Sequence, residues 1–110
     1  MINFEASKEE IIKALLPLEP AKIILFGSFA YGKPSEESDI DLLIVKETPK
    51  EEVKELRLKA RRNLRNFIFK NHIGIDIVVD SQERIDHRIK TIKDQFYSEI
   101  MEKGKLLYAK

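Results

Sequence analysis

Hydrophobic positions along the chain change period several times, and each change marks an element. Ile11, Ile12, Leu15 and Leu16 follow Ser7-Lys8-Glu9-Glu10, a capping-box sequence with Ser7 as N-cap and Glu10 at the third helical position. A short helix to about Leu16 is predicted, broken by Pro17 and Pro20. Ala21 to Phe26 is then an apolar run of strand length, ended by Gly27. After a polar loop from Lys33 to Ser38, Ile40, Leu42 and Ile44 face one way and Asp39, Asp41, Leu43 and Val45 the other. One face of that second strand reads as buried and the other as half open.

Thr48-Pro49-Lys50-Glu51 is a second capping box, with proline at the first helical position. A long helix to about Lys70 follows, its apolar stripe stepping by threes and fours through Val53, Leu56, Ala60, Leu64, Phe67 and Ile68. Arg57, Arg61 and Arg65 form a row beside that stripe. Ile73 to Val79 is a third strand, with Ile73, Ile75, Ile77 and Val79 on one face and Gly74, Asp76 and Val78 on the other. Asp80 or Ser81 caps a last helical region in which Ile85, Ile89, Ile92, Phe96 and Ile100 keep a helical rhythm. The pattern leaves open whether this is one helix or two broken near Lys93. Gly104 ends it, and Leu106 to Tyr108 has the character of an edge strand.

The 110 residues have the size of one small domain, so residues 1–110 are expected to act as one unit. Hydrophobic residues make up 43% and charged residues 35%, a globular composition. With no cysteine, disulfides, zinc knuckles and thiol nucleophiles are excluded. The first residues lack a basic region followed by an apolar core, and no apolar run approaches a membrane span, so a cytoplasmic protein is expected. A net charge of +1 gives the whole molecule no claim on membrane or nucleic acid. The residues from Arg57 to Lys70 nevertheless include no acid and form one basic patch.

The chemistry concentrates between Gly27 and Val45 and at Asp76. Gly27 ends a strand, Ser28 is placed to cap a turn of helix, and Gly32 with Pro34 stops that turn, so its amides make an anion seat. Asp39 and Asp41 share a strand face, roughly 6 to 7 Å apart. Asp76 joins them if the second and third strands are neighbours. At ~5 Å and an effective dielectric near 20, each carboxylate pair repels by roughly 3 kcal/mol. Three such pairs approach the stability of a small domain, so the occupied site calls for a divalent metal. Oxygen-only ligands favour magnesium or manganese over zinc. Two such ions suit an in-line displacement at phosphorus.

Blander roles compete with these. Paired aspartates at a loop-to-strand junction are often solvated turn caps; the Gly-Ser turn and Asp76 weigh against that here. Glu36 and Glu37 read as an acidic loop, and His72 and His87 as surface or capping residues. Tyr31 is placed either to stack on a nucleobase or to pack.

Gly27-Ser28, ten residues, and then Asp39-Ile40-Asp41 resembles the nucleotidyltransferase signature of the DNA polymerase beta superfamily. S-D-I-D-L-L-I-V and the downstream I-D-I-V-V match it as well. In length the chain is most similar to the minimal nucleotidyltransferases, the antitoxin halves of HEPN/MNT toxin–antitoxin pairs. The resemblance implies a nucleotidyltransferase-like fold of the α/β (α+β) class, a short mixed sheet with helices on one face and the site on the other. It implies that Asp39 and Asp41 bind two magnesium ions, and that Asp76 completes the metal site and helps deprotonate the attacking hydroxyl. Gly27 and Ser28 would seat the triphosphate of ATP. The implied reaction is AMP transfer to a tyrosine hydroxyl of a HEPN toxin, with release of pyrophosphate.

The extra domains with which larger relatives grip transfer RNA, poly(A) or aminoglycosides have no counterpart here, which favours a protein acceptor in a hetero-oligomer. Direct nucleic-acid binding is not expected. The rival readings are an antitoxin that neutralises by occlusion alone, and an enzyme whose acceptor is a small molecule or an RNA end. For RNA, the arginine row is the candidate groove.

Overall fold

The computed structural model describes residues 2–110. In chain order it has α1 (Phe4–Leu15), β1 (Lys22–Phe26), a single-turn α2 (Ser28–Tyr31) and β2 (Ile40–Val45). Then come α3 (Val53–Asn63), α4 (Arg65–Asn71), β3 (Ile75–Asp80), α5 (Gln82–Ile92), α6 (Gln95–Lys103) and β4 (Lys105–Ala109). Short 3-10 turns at Leu16–Leu18 and Lys50–Glu52 lead out of α1 and into α3. No described helix is long and apolar enough to cross a membrane.

The strands form one mixed sheet in the order β3-β2-β1-β4. β1 runs antiparallel to β2 and to β4, while β2 and β3 are parallel. Parallel neighbours need a long crossover, which α3 and α4 supply. The topology fixes where chemistry can gather. β2 and β3 begin at the same edge of the sheet, and β1 ends there, so Gly27, Asp39, Asp41 and Asp76 all come to one end.

Period-2 alternation sorts the core into two layers. Ile23, Leu25, Leu42, Ile44, Ile77 and Val79 face α1, α3 and α4 through Ile11, Leu15, Ala60, Leu64 and Phe67. Each fully buried Leu or Ile of this kind is worth about 1.5–3 kcal/mol over leaving it exposed. On the other face Ile24, Phe26, Leu43 and Val45 meet Ile85, Tyr97 and Ile100 of α5 and α6. The helices on the first face agree with the expected layer. The second face is half covered: α5 and α6 close it over Leu43 and Val45, and the open half is the end bearing Asp41 and Asp76.

Several helix ends differ from the sequence reading, for local reasons. The N-cap of α1 is Asn3, whose Oδ1 accepts the Ala6 amide at 3.3 Å, while the Ser7 hydroxyl donates to the Asn3 carbonyl inside the helix. Starting a turn earlier carries Phe4 against Phe29, with ring centroids 6.4 Å apart. Pro49, and not Thr48, holds the N-cap position, with extended backbone, and the Glu52 amide closes a 3-10 turn onto the Pro49 carbonyl at 3.0 Å. The long helix is interrupted at Leu64 (φ −91, ψ 0), and Leu64 and Phe67 both stay buried across the break. The last helical region is two helices. Lys93 turns left-handed at φ 55, and the Asp94 carboxylate caps α6 by accepting the Tyr97 amide at 3.1 Å.

Candidate active site

Gly27 closes β1 with φ 73 and ψ −157, a conformation L side chains seldom adopt. It, and not Ser28, occupies the N-cap position of α2, with Ser28 as the first helical residue. A Cβ on Gly27 would also run into the Asp41 Oδ2 atom. Glycine is therefore required both by the backbone and by the carboxylate beside it. The Ala30 and Tyr31 amides each donate to the Gly27 carbonyl at 3.0 Å. That leaves the Ser28 and Phe29 amides at the head of the turn to meet an anion.

Asp41 lies in register with Phe26 of β1 on one side and with Asp76 of β3 on the other. Asp39 stands just ahead of β2 against Gly74, where a Cβ would lie 2.7 Å from its Oδ1 atom. The Ile40 amide donates to the Gly74 carbonyl at 3.0 Å and so holds the two strand entrances together. Two glycines thus make room for two carboxylates. Asp39 and Asp76 are exposed and Asp41 is half-buried.

The Asp41 carboxyl is pushed up to about 6, first by burial, then by the charge of Asp76 and a hydrogen bond with it, and then by Asp39. The three expected site residues therefore form one electrostatic unit with too much negative charge. Among the described residues no three His, Asp or Glu side chains form a ready-made metal cage. The donor set nonetheless fits a hard divalent cation: oxygen ligands, mutually repelling, at an open end of a sheet.

The wall beside these residues comes from α6. Burial pushes the Tyr31 phenol up, the Gly27 amide opposes this, and the Glu99 carboxylate adds to it by charge and hydrogen bond. Glu99 of α6 thus lies close enough to the turn after Gly27 to act on the Tyr31 phenol. A cavity of about 660 Å³ lies elsewhere, at the opposite end of the sheet, lined by Ala21, Val45, Thr48, Ser81 and Arg84 among others. Concavity alone would misplace the site. The arginine row is also remote: α3 and α4 pack on the face occupied by Leu42 and Ile77, and Asp41 shares its face with Leu43.

A fold and a carboxylate site of this kind define a nucleotidyltransferase, and the nucleotidyltransferase domain model matches residues 7–107, so the chain belongs to that family. Among its relatives, the "Putative protein adenylyltransferase MJ0604" of Methanocaldococcus jannaschii is 38% identical over 110 residues, covering 97% of this chain and all of that one (100%). A second protein of that organism, "Putative protein adenylyltransferase MJ0141", is 36% identical over 96 residues, 84% of each chain. Among solved structures, a toxin–antitoxin with AMP-PNP superposes with a TM-score of 0.56 at 21% identity, covering 94% of this chain and 73% of that one. A mutant of the toxin–antitoxin MntA–HpeT gives 0.59 at 19% identity with the same coverage. These two likenesses concern the fold.

Sequence reasoning missed three residues of this neighbourhood. Gly74 was legible as an isolated glycine at a strand start, which marks a close approach. Glu99 carried no local signal, because its partner Tyr31 is distant in sequence. The helical rhythm puts Phe96 among the buried positions, but the left-handed turn at Lys93 shifts the register. Tyr97 and Ile100 are buried at 7% and 1%, while Ile92 and Phe96 are exposed at 60% and 50%.

Proposed function

We propose that this chain, as one minimal nucleotidyltransferase domain in the cytoplasm, transfers AMP from ATP to a tyrosine hydroxyl of a HEPN-domain toxin and so acts as its antitoxin. The observation that carries the reading is the pairing of Asp41 with Asp76 across the parallel strands, beside a glycine that leaves room for the carboxylate, in a nucleotidyltransferase. The protein acceptor is supported by relatives that carry the name protein adenylyltransferase and match over nearly the whole chain. The toxin partner is supported by the fold shared with toxin–antitoxin proteins.

In this reading Asp39, Asp41 and Asp76 hold two magnesium ions, or manganese in their place. The metal supplies Lewis-acid stabilisation of the charge on the triphosphate when bound. Gly27 keeps the approach to Asp41 open, and Ser28 seats the triphosphate with its amide and hydroxyl. Asp76 receives the proton of the acceptor hydroxyl while that oxygen bonds to the α-phosphorus. The bond from the α-phosphorus to its bridging oxygen breaks, and pyrophosphate leaves.

The test is incubation with alpha-labelled ATP, magnesium and the HEPN partner, in which the label is expected on the partner. A folded protein that binds the partner and transfers no label overturns the enzymatic reading. Neutralisation by occlusion is separated by D39N/D41N: binding alone survives that change, and catalysis does not.

A further inference from the structure

Phe96 is half exposed at 50%, an unusual place for a large apolar ring in a helix whose neighbours Tyr97 and Ile100 are buried. It is not loosely held. Its ring meets that of Phe26 edge-on, with centroids 5.5 Å apart and planes at 88°, and that of Tyr97 at 5.5 Å and 55°. The backbone beneath is fixed by the Asp94 cap on the Tyr97 amide at 3.1 Å. The Tyr97 hydroxyl is tied down by donating to Asp80 Oδ2 at 2.6 Å.

Its position is defined relative to the carboxylates. Phe26 is paired with Asp41 in the β1–β2 register. Phe96 therefore packs on the side chain that neighbours Asp41 across the β1–β2 pair, on the same face of the sheet. Of the other exposed aromatic rings, Tyr31 on α2 is the less exposed at 36%, and Phe69 lies on α4 behind the opposite face.

We infer that Phe96 is the platform on which the nucleobase of the triphosphate stacks, so that it helps set affinity and favours purines for their larger ring. This rests on the nucleotidyl-transfer reading above, and adds to it the residue that recognises the base. Stacking on an immobilised ring needs no base-edge hydrogen bonds and loses little side-chain freedom on binding.

The chain has no tryptophan, so F96W places a single indole at the platform. Its fluorescence should change saturably with magnesium–ATP and stay unchanged with inorganic tripolyphosphate, which has the anionic chain and no base. By calorimetry, F96A and the bulkier F96L should bind ATP roughly 5- to 150-fold more weakly than wild type, the fold-change equivalent of ~1–3 kcal/mol of stacking. Both should bind tripolyphosphate as wild type does, and the preference for ATP over UTP should shrink. An F96W signal unmoved at ATP concentrations that saturate wild type, or ATP affinity unchanged in F96A and F96L, overturns the platform. So does loss of partner binding with ATP affinity intact, which would make Phe96 a protein-docking anchor. If wild type binds neither ATP nor tripolyphosphate, the nucleotide reading itself fails and the platform with it, which a failure confined to the Phe96 variants distinguishes.

Discussion

Asp76 and Asp80 stand on the same face of β3, four residues apart, and have opposite surroundings. Asp80 accepts hydrogen bonds from Arg84 Nε at 2.6 Å, the Tyr97 hydroxyl at 2.6 Å and the Ser81 amide at 2.9 Å. Burial pushes its carboxyl up, but the bonds from Tyr97, Arg84 and Ser81 outweigh this and hold it below the usual carboxylate range. At the other end of the sheet Asp76 faces Asp41, whose carboxyl is pushed up by burial and then by the charge of Asp76, with no donor to offset them. The same residue type on the same strand face thus meets converging donors at one end of the sheet and other carboxylates at the other. The Asp80 end anchors α5 and α6, and so positions the wall of the Asp41 end.

This contrast predicts effects of opposite sign. D41N should lower nucleotidyl transfer by about 10³-fold or more, the scale of losing an electrostatic element in a charged site. In metal-free buffer its melting temperature should be unchanged or higher, because one source of repulsion is gone. Transfer assays paired with thermal melts check this, and a variant that loses activity together with stability would break the contrast. G27A should follow in size. A residue with a Cβ in this essentially glycine-only backbone region costs about 1–3 kcal/mol, and that Cβ would displace the Asp41 carboxylate, so both transfer and melting temperature should fall.

D80N should leave the carboxylates intact and cost stability, about 1–3 kcal/mol for the bonds from Arg84, Tyr97 and Ser81, reduced by the partial exposure of Arg84. The pH dependence has a fixed sign. The folded carboxyl lies below its unfolded value of ~3.9, so its contribution is full above that value and is lost as pH falls through the lowered folded one. Denaturant midpoints of wild type and D80N should differ at pH 7 and converge in acid. A gap that widened in acid would sink the assignment.

Much of this was legible in the chain because it rests on short-range pattern. Alternation in Ile40–Val45 and Ile75–Asp80 set the strands and put Asp41 and Asp76 on one face, and the glycine at 27 marked the turn between β1 and α2. What was not legible depends on contacts between distant segments or on a one-residue change of register. Ser7 and Asn3 are both good caps locally, and starting the helix at Asn3 brings Phe4 against Phe29, a contact between segments that local pattern does not announce. The apolar series through Ile92 and Phe96 reads as continuous until Lys93 turns left-handed, and then Tyr97 takes the buried place. The Asp80–Tyr97 bond spans two helices, and no sequence spacing announces it.

The smallest expected effect concerns the arginine row, which carries the RNA-acceptor rival. Arg61 and Arg65 are exposed, and their helices cover the face opposite the carboxylates. A polynucleotide end held there would have to pass around the sheet to reach Asp41, since a sheet and its packed layer put ~10 Å between the two sides. R61A/R65A should therefore change stability by less than about 0.5 kcal/mol and leave nucleotidyl transfer within about twofold of wild type. Transfer rates and filter-binding of RNA across a salt series provide the check. Steeply salt-dependent RNA binding that disappears with these two arginines, accompanied by loss of transfer, would make the back of the sheet part of the acceptor path.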